Sequence, residues 1–326
     1  MKDHWIAVAL AKDIRRKPRR VLLDGQALVL FQGKDGPTAL LDLCPHRQAE
    51  LSKGRVVQGA IECPYHGWRF DAGGTCVAIP GCMEDLPRYR IRRFQTVEQD
   101  GVVFVASGEP TASPYIHAAA GQDVIVRRVR SETRSTLIDT AENILDATHT
   151  HFTHKGLLRG LSAKRHTVNV EITGGDGWAE AKYTGEDRQE GLISRMLEGA
   201  RSKTIGRFRA PGIAELEYWG PNGLVLVTSF HLRQAADDRV EGIGWLVGPR
   251  AGPLSWVKAA AFKPLFKVAL EQDRRILRSS FDNAAYQNAG PAVHGPLDFL
   301  RPDIEAILAG DLPPSASAPR HYQIAL

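Results

Sequence analysis

Two short segments near the start of the chain combine the side chains that bind soft metal ions. The first is Cys44-Pro45-His46-Arg47 and the second is Cys63-Pro64-Tyr65-His66-Gly67-Trp68, with 16 residues between His46 and Cys63. Thiolate sulfur and imidazole nitrogen can hold either Zn²⁺ or an iron–sulfur cluster. Both loops have Cys first, His second and Pro next to Cys, and this shared form favours a cluster over a structural zinc site.

The same two segments resemble the cluster-binding motif of the Rieske oxygenase α-subunits. The resemblance implies a [2Fe–2S] cluster in which Cys44 and Cys63 ligate one iron and His46 and His66 ligate the other. Histidine ligands raise the reduction potential of such a cluster above that of an all-cysteine cluster. We therefore expect this part of the chain to accept and hold single electrons.

A second group of polar residues lies between Asp139 and His154. Asn143, Asp146 and His149 are spaced three apart, which on a continuous helix places them along one slowly drifting face. His149 and His154 are five apart, about 140° around an ideal helix. They can share a metal ion only if the helix ends or bulges between them. The spacing of Asp146, His149 and His154 resembles the Asp-x-x-His-x-x-x-x-His iron motif of the same family.

Two histidines need a carboxylate to complete the facial triad that leaves open positions on iron(II). The family takes this ligand from a distant helix, and the segment Glu271-Gln272-Asp273-Arg274 resembles the family's Glu-Asp-Arg segment. Asp273 is the preferred candidate, ahead of Glu271 and then Asp282. The alternative is that Asp273 only pairs with a neighbouring arginine on a solvated helix face.

The resemblance implies further roles within the 139–154 segment. Asp146 is expected to hydrogen-bond both an iron-ligating histidine and a Rieske histidine of the neighbouring subunit, which would orient the imidazoles. A plain surface acid is the alternative. Asn143 is expected near the iron without binding it, or as a helix-surface amide. His151 has an offset that matches neither ligand position, so we expect it beside the site or exposed.

The elements that position these residues suggest two domains and an α+β fold. Short β-segments and turns fill the first part, and the Pro- and Ser-rich segment 107–114 is typical of a linker. We predict an all-β Rieske domain at 1–110 and a catalytic domain at 111–326 that combines an antiparallel sheet with helices, a helix-grip architecture. Three helices are predicted in the second domain: Leu137–Ala147, Leu192–Gly199 and Ser255–Ser280. Strands are predicted at Arg20–Leu23, Ala27–Phe31, Ala39–Leu43, Arg55–Ile61, Thr75–Ile79, Gly101–Ala106, Thr167–Ile172, Ala214–Trp219, Leu224–Leu232 and Gly242–Val247.

Composition excludes several other classes of protein. The chain has 326 residues, 43% hydrophobic and 24% charged, and a net charge of +5, which is too mild to indicate nucleic-acid binding. No apolar run reaches the length of a membrane span. The apolar stretch Trp5–Ala11 is short and leads directly into charged residues, so it predicts a first β-strand rather than a signal peptide. We therefore expect a cytoplasmic protein.

The sequence offers no visible site for a nicotinamide or flavin cofactor. Gly242-Ile243-Gly244 continues without the spacing of the dinucleotide-binding fingerprint, and no phosphate-binding loop is present. Electrons from NAD(P)H are thus expected only indirectly, through a separate reductase or ferredoxin.

The resemblance implies the oxygenase component of a multicomponent Rieske non-haem iron oxygenase. Such an enzyme uses O₂ and reductase-supplied electrons to hydroxylate or oxidatively demethylate a small, aromatic or cyclic substrate. The chain is most similar to the vanillate O-demethylase, dicamba monooxygenase and caffeine N-demethylase type, which implies a homotrimer. The alternatives are an aromatic-ring cis-dihydroxylating dioxygenase, a Rieske electron carrier without oxygenase chemistry, and a module that binds an apolar ligand.

Five residues on predicted strands of the second domain are candidates for the substrate pocket, although ordinary core packing is the better explanation of any one of them. Strand alternation places Thr228 and Phe230 on one face and His231 on the other, so they cannot all line one pocket. The five are Trp219, Thr228, Phe230, His231 and Trp245.

Overall fold

The computed structural model describes residues 3–86, 88–158, 165–185, 191, 202–288 and 290–326. The chain divides into two compact units. The first comprises Met1–Tyr115 with Gln234–Ala236, and the second comprises Ile116–Arg233 with Asp237–Leu326. The predicted helix Leu192–Gly199 lies outside the described residues.

The first unit is built from antiparallel strands. Six of them form one sheet in the order β1-β10-β9-β4-β3-β2, and four short strands form a second sheet in the order β5-β6-β7-β8. A four-residue helix, α1 (Ala11–Ile14), follows the first strand. The strands are β1 (Ile6–Leu10), β2 (Arg19–Leu23), β3 (Gln26–Gln32), β4 (Pro37–Leu41), β5 (Arg55–Val57), β6 (Ala60–Glu62), β7 (Arg69–Phe70), β8 (Cys76–Ala78), β9 (Arg93–Gln99) and β10 (Val102–Ala106).

Strand β3 carries the core of this unit because both of its faces are buried. Leu28 and Leu30 pack with residues of β1 and β10 on one side. Val29 and Phe31 point to the other side, where they pack with Cys44 and residues of the smaller sheet. Successive side chains of a strand alternate between faces, so one strand supports both layers. The predicted strands Arg20–Leu23, Ala27–Phe31 and Ala39–Leu43 correspond to β2, β3 and β4.

The predicted single strand Arg55–Ile61 is wrong, because the chain reverses direction within it. Gln58 and Gly59 both have positive φ, at 52° and 82°. Two consecutive residues with positive φ suit a tight two-residue hairpin turn, and they separate β5 from β6. The run of apolar residues on either side concealed this turn.

The second unit contains an eight-stranded sheet in the order β11-β17-β16-β15-β14-β13-β12-β18, with helices packed on it. Its strands are antiparallel, as expected. They are β11 (Val124–Thr133), β12 (Thr167–Gly175), β13 (Trp178–Thr184), β14 (Lys203–Arg209), β15 (Ile213–Gly220), β16 (Gly223–Ala236), β17 (Arg239–Pro249) and β18 (Arg320–Ala325). The helices are α2 (Leu137–Leu145), α3 (Thr150–Thr153), α4 (Pro253–Tyr286), α5 (Arg301–Ala309) and α6 (Pro314–Ser317).

Helix α2 has a clear start and a clear end. Thr136 caps its first turn, where the hydroxyl oxygen accepts a 3.1 Å hydrogen bond from the backbone N–H of Asp139. Ala141 and Leu145 are buried in the core of the unit. The helix ends at Leu145, and Asp146 is already extended with φ −74° and ψ 118°. The prediction that Asn143, Asp146 and His149 share one continuous helix face is therefore wrong.

Helix α4 is the longest element, with 34 residues. It starts directly after Gly252 with Pro253 in its first turn, a position where proline costs no hydrogen bond. Phe262 and Ala269 are the buried residues of the helix. The predicted helix Ser255–Ser280 is confirmed and extends further in both directions. Among the described residues, no helix has the length and apolar character that a membrane span requires.

Candidate metal centres

Three side chains of the second unit bring their ligand atoms together. Nε2 of His149 lies 3.3 Å from Nε2 of His154 and 3.5 Å from Oδ1 of Asp273. Nε2 of His154 lies 3.0 Å from the same Oδ1. Within the part of the chain that the structure describes, these residues form the only group of three or more His, Cys, Asp or Glu donors close enough to share one ion.

The spacing of the three atoms suits a single metal ion. Ligands at about 2.1 Å from a first-row metal, set at right angles, stand about 3 Å from one another. The buried Oδ1 of Asp273 lies close to both Nε2 atoms, but neither contact has the geometry of a hydrogen bond. A buried carboxylate oxygen without a partner is costly. A metal ion bound at this point would remove that cost, so the donor set fits iron(II).

The two histidines flank one turn of helix rather than lying on a continuous helix. His149 is the residue before α3, and His154 is the residue after it, with φ −111° and ψ 28°. The short helix α3 therefore runs between the two histidines and ends at His154, which provides the helix end that the five-residue spacing requires. Both imidazoles can then face Asp273 on α4.

Asp146 stabilises the break between α2 and α3 by accepting hydrogen bonds from the residues that follow it. Its Oδ1 accepts from the backbone N–H of Thr148 at 2.6 Å and from the Thr148 hydroxyl at 2.7 Å. Its Oδ2 accepts from the backbone N–H of His149 at 3.1 Å and lies 3.4 Å from Nδ1 of the same imidazole. One carboxylate thus stabilises the turn that precedes α3 and also orients the ring of His149.

His154 is oriented by a residue that the sequence analysis did not single out. Its Nδ1 lies 2.8 Å from Oε1 of Gln272, the residue before Asp273. When Nδ1–H donates to this amide oxygen, Nε2 keeps its lone pair and can face a metal ion. The helix places Gln272 and Asp273 side by side, but only the folded contact identifies Gln272 as a partner of His154.

The electrostatics of the three residues are tightly linked. Burial lowers the pKa of His149, but the carboxylates of Asp146 and Asp273 outweigh it and raise that pKa to about 9. Burial raises the pKa of Asp273, but the neighbouring imidazoles of His149 and His154 outweigh burial and bring it below the usual range. Without a metal ion, a proton on His149 therefore offsets part of the negative charge of the two carboxylates, and metal binding displaces that proton.

The other two carboxylate candidates lie apart from the histidines. Glu271 pairs with Arg274 at 2.8 Å and with Arg275 at 3.2 Å on the exposed side of α4. Asp282 pairs with Arg278 on the same helix at 3.4 Å and also pairs with an arginine outside it. These ion pairs already use both carboxylates, whereas Asp273 is turned toward the imidazoles.

Two further residues of the 139–154 segment have distinct positions. His151 is half-buried within α3 and does not belong to the group formed by His149, His154 and Asp273. Asn143 lines a cavity of about 210 Å³ together with Asp146. Asn143 is therefore beside the carboxylate of Asp146 rather than among the ligand atoms.

The first unit brings together the two cysteines and two histidines of the other motif. Cys44 and Cys63 are 1% and 3% exposed and belong to the core beneath the smaller sheet. The two thiols interact, and burial raises the pKa of Cys44 to about 11. The rings of His46 and His66 are exposed, with centroids 4.6 Å apart. Two buried sulfurs and two exposed imidazoles fit a [2Fe–2S] cluster with its histidine-bound iron toward solvent.

The two loops share one backbone conformation, as their sequences suggest. The N–H of Gln48 donates to the carbonyl of Cys44 at 2.8 Å, and the N–H of Gly67 donates to that of Cys63 at 3.1 Å. Gln48 and Gly67 both have positive φ, at 59° and 71°. A Cβ atom on Gly67 would lie 2.9 Å from the ring of Pro80, so a larger residue there would push the loop away.

Comparison with known proteins agrees with this geometry. Residues 4–95 match the family model described as the Rieske [2Fe-2S] domain. The chain contains a Rieske domain. Two relatives and one solved structure extend the similarity beyond this domain.

The relatives are oxygenases that act on small molecules. The chain is 33% identical over 215 residues to the oxygenase component of dicamba O-demethylase from Stenotrophomonas maltophilia, with 62% of this chain and 61% of the relative covered. It is 36% identical over 193 residues to methylxanthine N3-demethylase NdmB from Pseudomonas putida, covering 54% of each. The alignments span less than two thirds of either relative.

A solved structure extends the likeness in fold to nearly the whole chain. Dicamba monooxygenase bound to 3,6-dichlorosalicylic acid superposes with a TM-score of 0.78 at 20% identity, covering 94% of this chain and 96% of that chain. The predicted resemblance to Rieske oxygenase components and the predicted α+β fold class are confirmed. The roles of individual residues stay predictions.

The residues predicted for the substrate pocket lie on both faces of the large sheet. Phe230 is buried, and its ring lies 5.9 Å from that of Phe266 on α4, the helix that carries Asp273. Thr228 is also buried, two residues earlier on the same strand. This pair is therefore on the side of the sheet that faces the metal-binding helix.

The remaining three lie elsewhere. His231 and Trp245 are buried with ring centroids 4.6 Å apart, and Nε2–H of His231 donates to the carbonyl of Ile116 at 2.9 Å. Trp219 is half-buried, and its indole N–H donates to the carboxylate of Glu217 at 3.0 Å. Strand alternation therefore separates these side chains from Phe230.

Proposed function

We propose that this chain is the oxygenase component of a Rieske non-haem iron oxygenase. The observation that carries the proposal is the convergence of His149, His154 and Asp273 in the second unit, outside the Rieske domain. A protein that only relays electrons needs the four predicted cluster ligands of the first unit and no further metal site. The second site therefore supports oxygenase chemistry.

We assign the [2Fe–2S] cluster to residues 1–110 and the mononuclear iron to residues 111–326. When bound, the cluster supplies single electrons and the iron activates O₂. His149, His154 and Asp273 would hold the iron through Nε2 of each histidine and Oδ1 of the aspartate. Gln272 and Asp146 hold the two imidazoles with Nε2 toward the metal position.

Asp146 is also proposed to link this site to the Rieske domain of a second copy. Its carboxylate side chain is 31% exposed even though it lies beside Nδ1 of His149. One side of it can therefore receive a histidine of a neighbouring chain. Such a contact between copies predicts a head-to-tail homotrimer, since a heterologous interface that closes on itself forms a ring. Asn143 lines the cavity next to this carboxylate.

The electrons are proposed to come from a separate reductase or ferredoxin, with NAD(P)H used only indirectly. The support is the lack of a dinucleotide-binding fingerprint in the sequence. A chain that works with such soluble partners is placed in the cytoplasm in this proposal.

The reaction that the relatives favour is hydroxylation or oxidative demethylation of a small aromatic or cyclic substrate. Both relatives are named as demethylases. Phe230 and Thr228, which face the metal-binding helix, are the pocket candidates that this proposal retains. Trp219, His231 and Trp245 are not retained, because they lie on the other face of the sheet.

Oxygen consumption across a substrate panel tests the proposal. The reconstituted full chain is combined with a ferredoxin and its reductase, and with methoxy-aromatics, aromatic acids and N-methyl heterocycles in turn. We expect substrate-dependent O₂ uptake with formaldehyde or a hydroxylated product, abolished by His154→Ala. The matched control is His151→Ala, which lies in the same segment and should retain uptake. A chain that accepts electrons but consumes no O₂ with any member of the panel contradicts the proposal.

A further inference from the structure

A cavity of about 460 Å³ lies in the second unit, apart from the three metal-ligating residues. It is formed by β11, the start of β16, the end of β17 and the first turns of α4. Small-molecule sites in proteins usually have volumes of about 300–1,000 Å³. The cavity is therefore large enough for a compact organic ligand.

The walls of the cavity are mainly apolar. Leu226, Leu246 and Phe262 are buried residues that contribute to it, and they belong to the core of the second unit. Ile125 and Leu224 add further apolar surface from the strands. Burying a hydrocarbon or aromatic group against these side chains is favourable because it removes apolar surface from water.

The charged groups at the cavity have one sign. Arg127 and Lys258 are among its 18 lining residues, and none of these 18 residues is acidic. Apolar walls and two cations together complement a molecule with an apolar body and a negative group.

Arg127 is held in place before any ligand arrives. Its guanidinium lies 5.3 Å from the ring centroid of Trp256, and Nη1 donates to the carbonyl of Val126 at 3.3 Å. A guanidinium that is fixed by stacking loses little freedom when it binds a carboxylate, and its planar fork matches the two carboxylate oxygens. The side chain is thus preorganised for an anion.

None of the 18 residues that line the cavity belongs to the group formed by His149, His154 and Asp273. Phe262 precedes Asp273 by eleven residues on α4. At a rise of 1.5 Å per residue, this is about 16 Å along the helix axis. The site is therefore separate from the one that holds the metal, and it does not depend on the proposed function.

We propose that this cavity is a second ligand site that binds a small apolar monocarboxylate. The apolar body lies against Leu226, Leu246 and Phe262, and the carboxylate meets Arg127 and Lys258 at the edge. The apolar walls suit a neutral ligand of the same shape as well, but only an anionic ligand also supplies a partner for the two cations.

Calorimetric titration of the reconstituted full chain tests this site with three probes. These are 4-ethylbenzoate, the neutral 4-ethylbenzamide and acetate, which lacks the apolar body. We expect 4-ethylbenzoate to bind at least about tenfold more tightly than either of the others, because charge-assisted hydrogen bonds and apolar burial act together. Equal binding of the amide, or no binding of 4-ethylbenzoate at millimolar concentration, overturns the proposal.

Variants locate the binding event. Arg127→Gln and Lys258→Gln should each weaken 4-ethylbenzoate about tenfold, whereas Lys267→Gln, on an exposed part of the same helix, should leave it unchanged. Ala259→Phe should abolish binding by filling the cavity, with circular dichroism to verify folding. Asp273→Asn should leave binding unchanged. Loss of binding in Asp273→Asn, or equal weakening in Lys267→Gln, places the ligand elsewhere and contradicts the proposal.

Discussion

Replacing Gln272 with leucine should weaken metal binding without removing a ligand. The amide oxygen lies 2.8 Å from Nδ1 of His154 and selects the tautomer whose Nε2 faces the metal position. Leucine has a similar volume but cannot accept this hydrogen bond. The loss of a partner of this kind typically costs 10–100-fold in metal affinity, which corresponds to about 1.4–2.8 kcal/mol.

Anaerobic titration of the iron-depleted full chain with Fe(II), or with Co(II) followed by its visible absorption, measures the effect. The matched control is Glu271→Gln at the preceding position, where the carboxylate pairs with Arg274 and Arg275 on the exposed side of α4. We expect its affinity to stay within about twofold of the unchanged protein, since exposed ion pairs contribute little. Equal affinity of Gln272→Leu and the unchanged protein would refute the assignment of Gln272, and strong weakening by Glu271→Gln would refute the choice of Asp273.

Three further predictions concern other parts of the molecule. Burial lowers the pKa of His231 from 6.5 to about 4, so this residue should cost the folded state ~3 kcal/mol as pH falls from 6.5 to 4. The free energy of unfolding of His231→Gln, measured with denaturant, should lack this part of the pH dependence. If the variant and the unchanged protein lose stability in parallel as pH falls, the prediction is contradicted. Arg301→Leu leaves the carboxylate of Glu142 without its 2.6 Å partner and should lower stability by about 1–3 kcal/mol in the same assay; an unchanged midpoint would show that the pair contributes nothing. Cys63→Ser should abolish the electron paramagnetic resonance signal of the reduced cluster while metal binding at the second site persists, and loss of both would contradict independent sites.

The like form of the two loops that carry the predicted cluster ligands could be anticipated from sequence. Each loop is a short segment closed by a local hydrogen bond, donated by the N–H of Gln48 in one loop and of Gly67 in the other. Local sequence determines local geometry of this kind. For the same reason the N-cap at Thr136 and the start of α4 after Gly252 are close to what their residue types favour.

The second metal site could be predicted only in part. The spacing of His149 and His154 required a helix end near them. The break between α2 and α3 depends on Asp146, which accepts hydrogen bonds from Thr148 and His149. Such contacts compete with helix continuation, and periodicity alone does not reveal them. The helix was therefore predicted two residues too long, and a continuous face was expected where the chain turns.

Contacts between distant segments could not be predicted from spacing and periodicity alone. The family resemblance favoured Asp273 over Glu271, but only the fold shows that Asp273 lies on the side of α4 that faces the imidazoles, 119 to 124 residues away in sequence. Arg301 reaches Glu142 across a similar gap, and no local pattern marks either residue. Several strands, such as Trp178–Thr184, also escaped prediction. Buried and half-buried residues alternate in this strand, but two of its three buried residues are alanines, which have little preference for strands.

The iron and sulfide content of the anaerobically reconstituted chain tests the central claim most directly. Two separate sites predict about three irons and two sulfides per chain, of which one iron is lost in His154→Ala while the signal of the reduced cluster is kept. About two irons in the unchanged protein, with no further loss in His154→Ala, would contradict the second site and leave only an electron carrier.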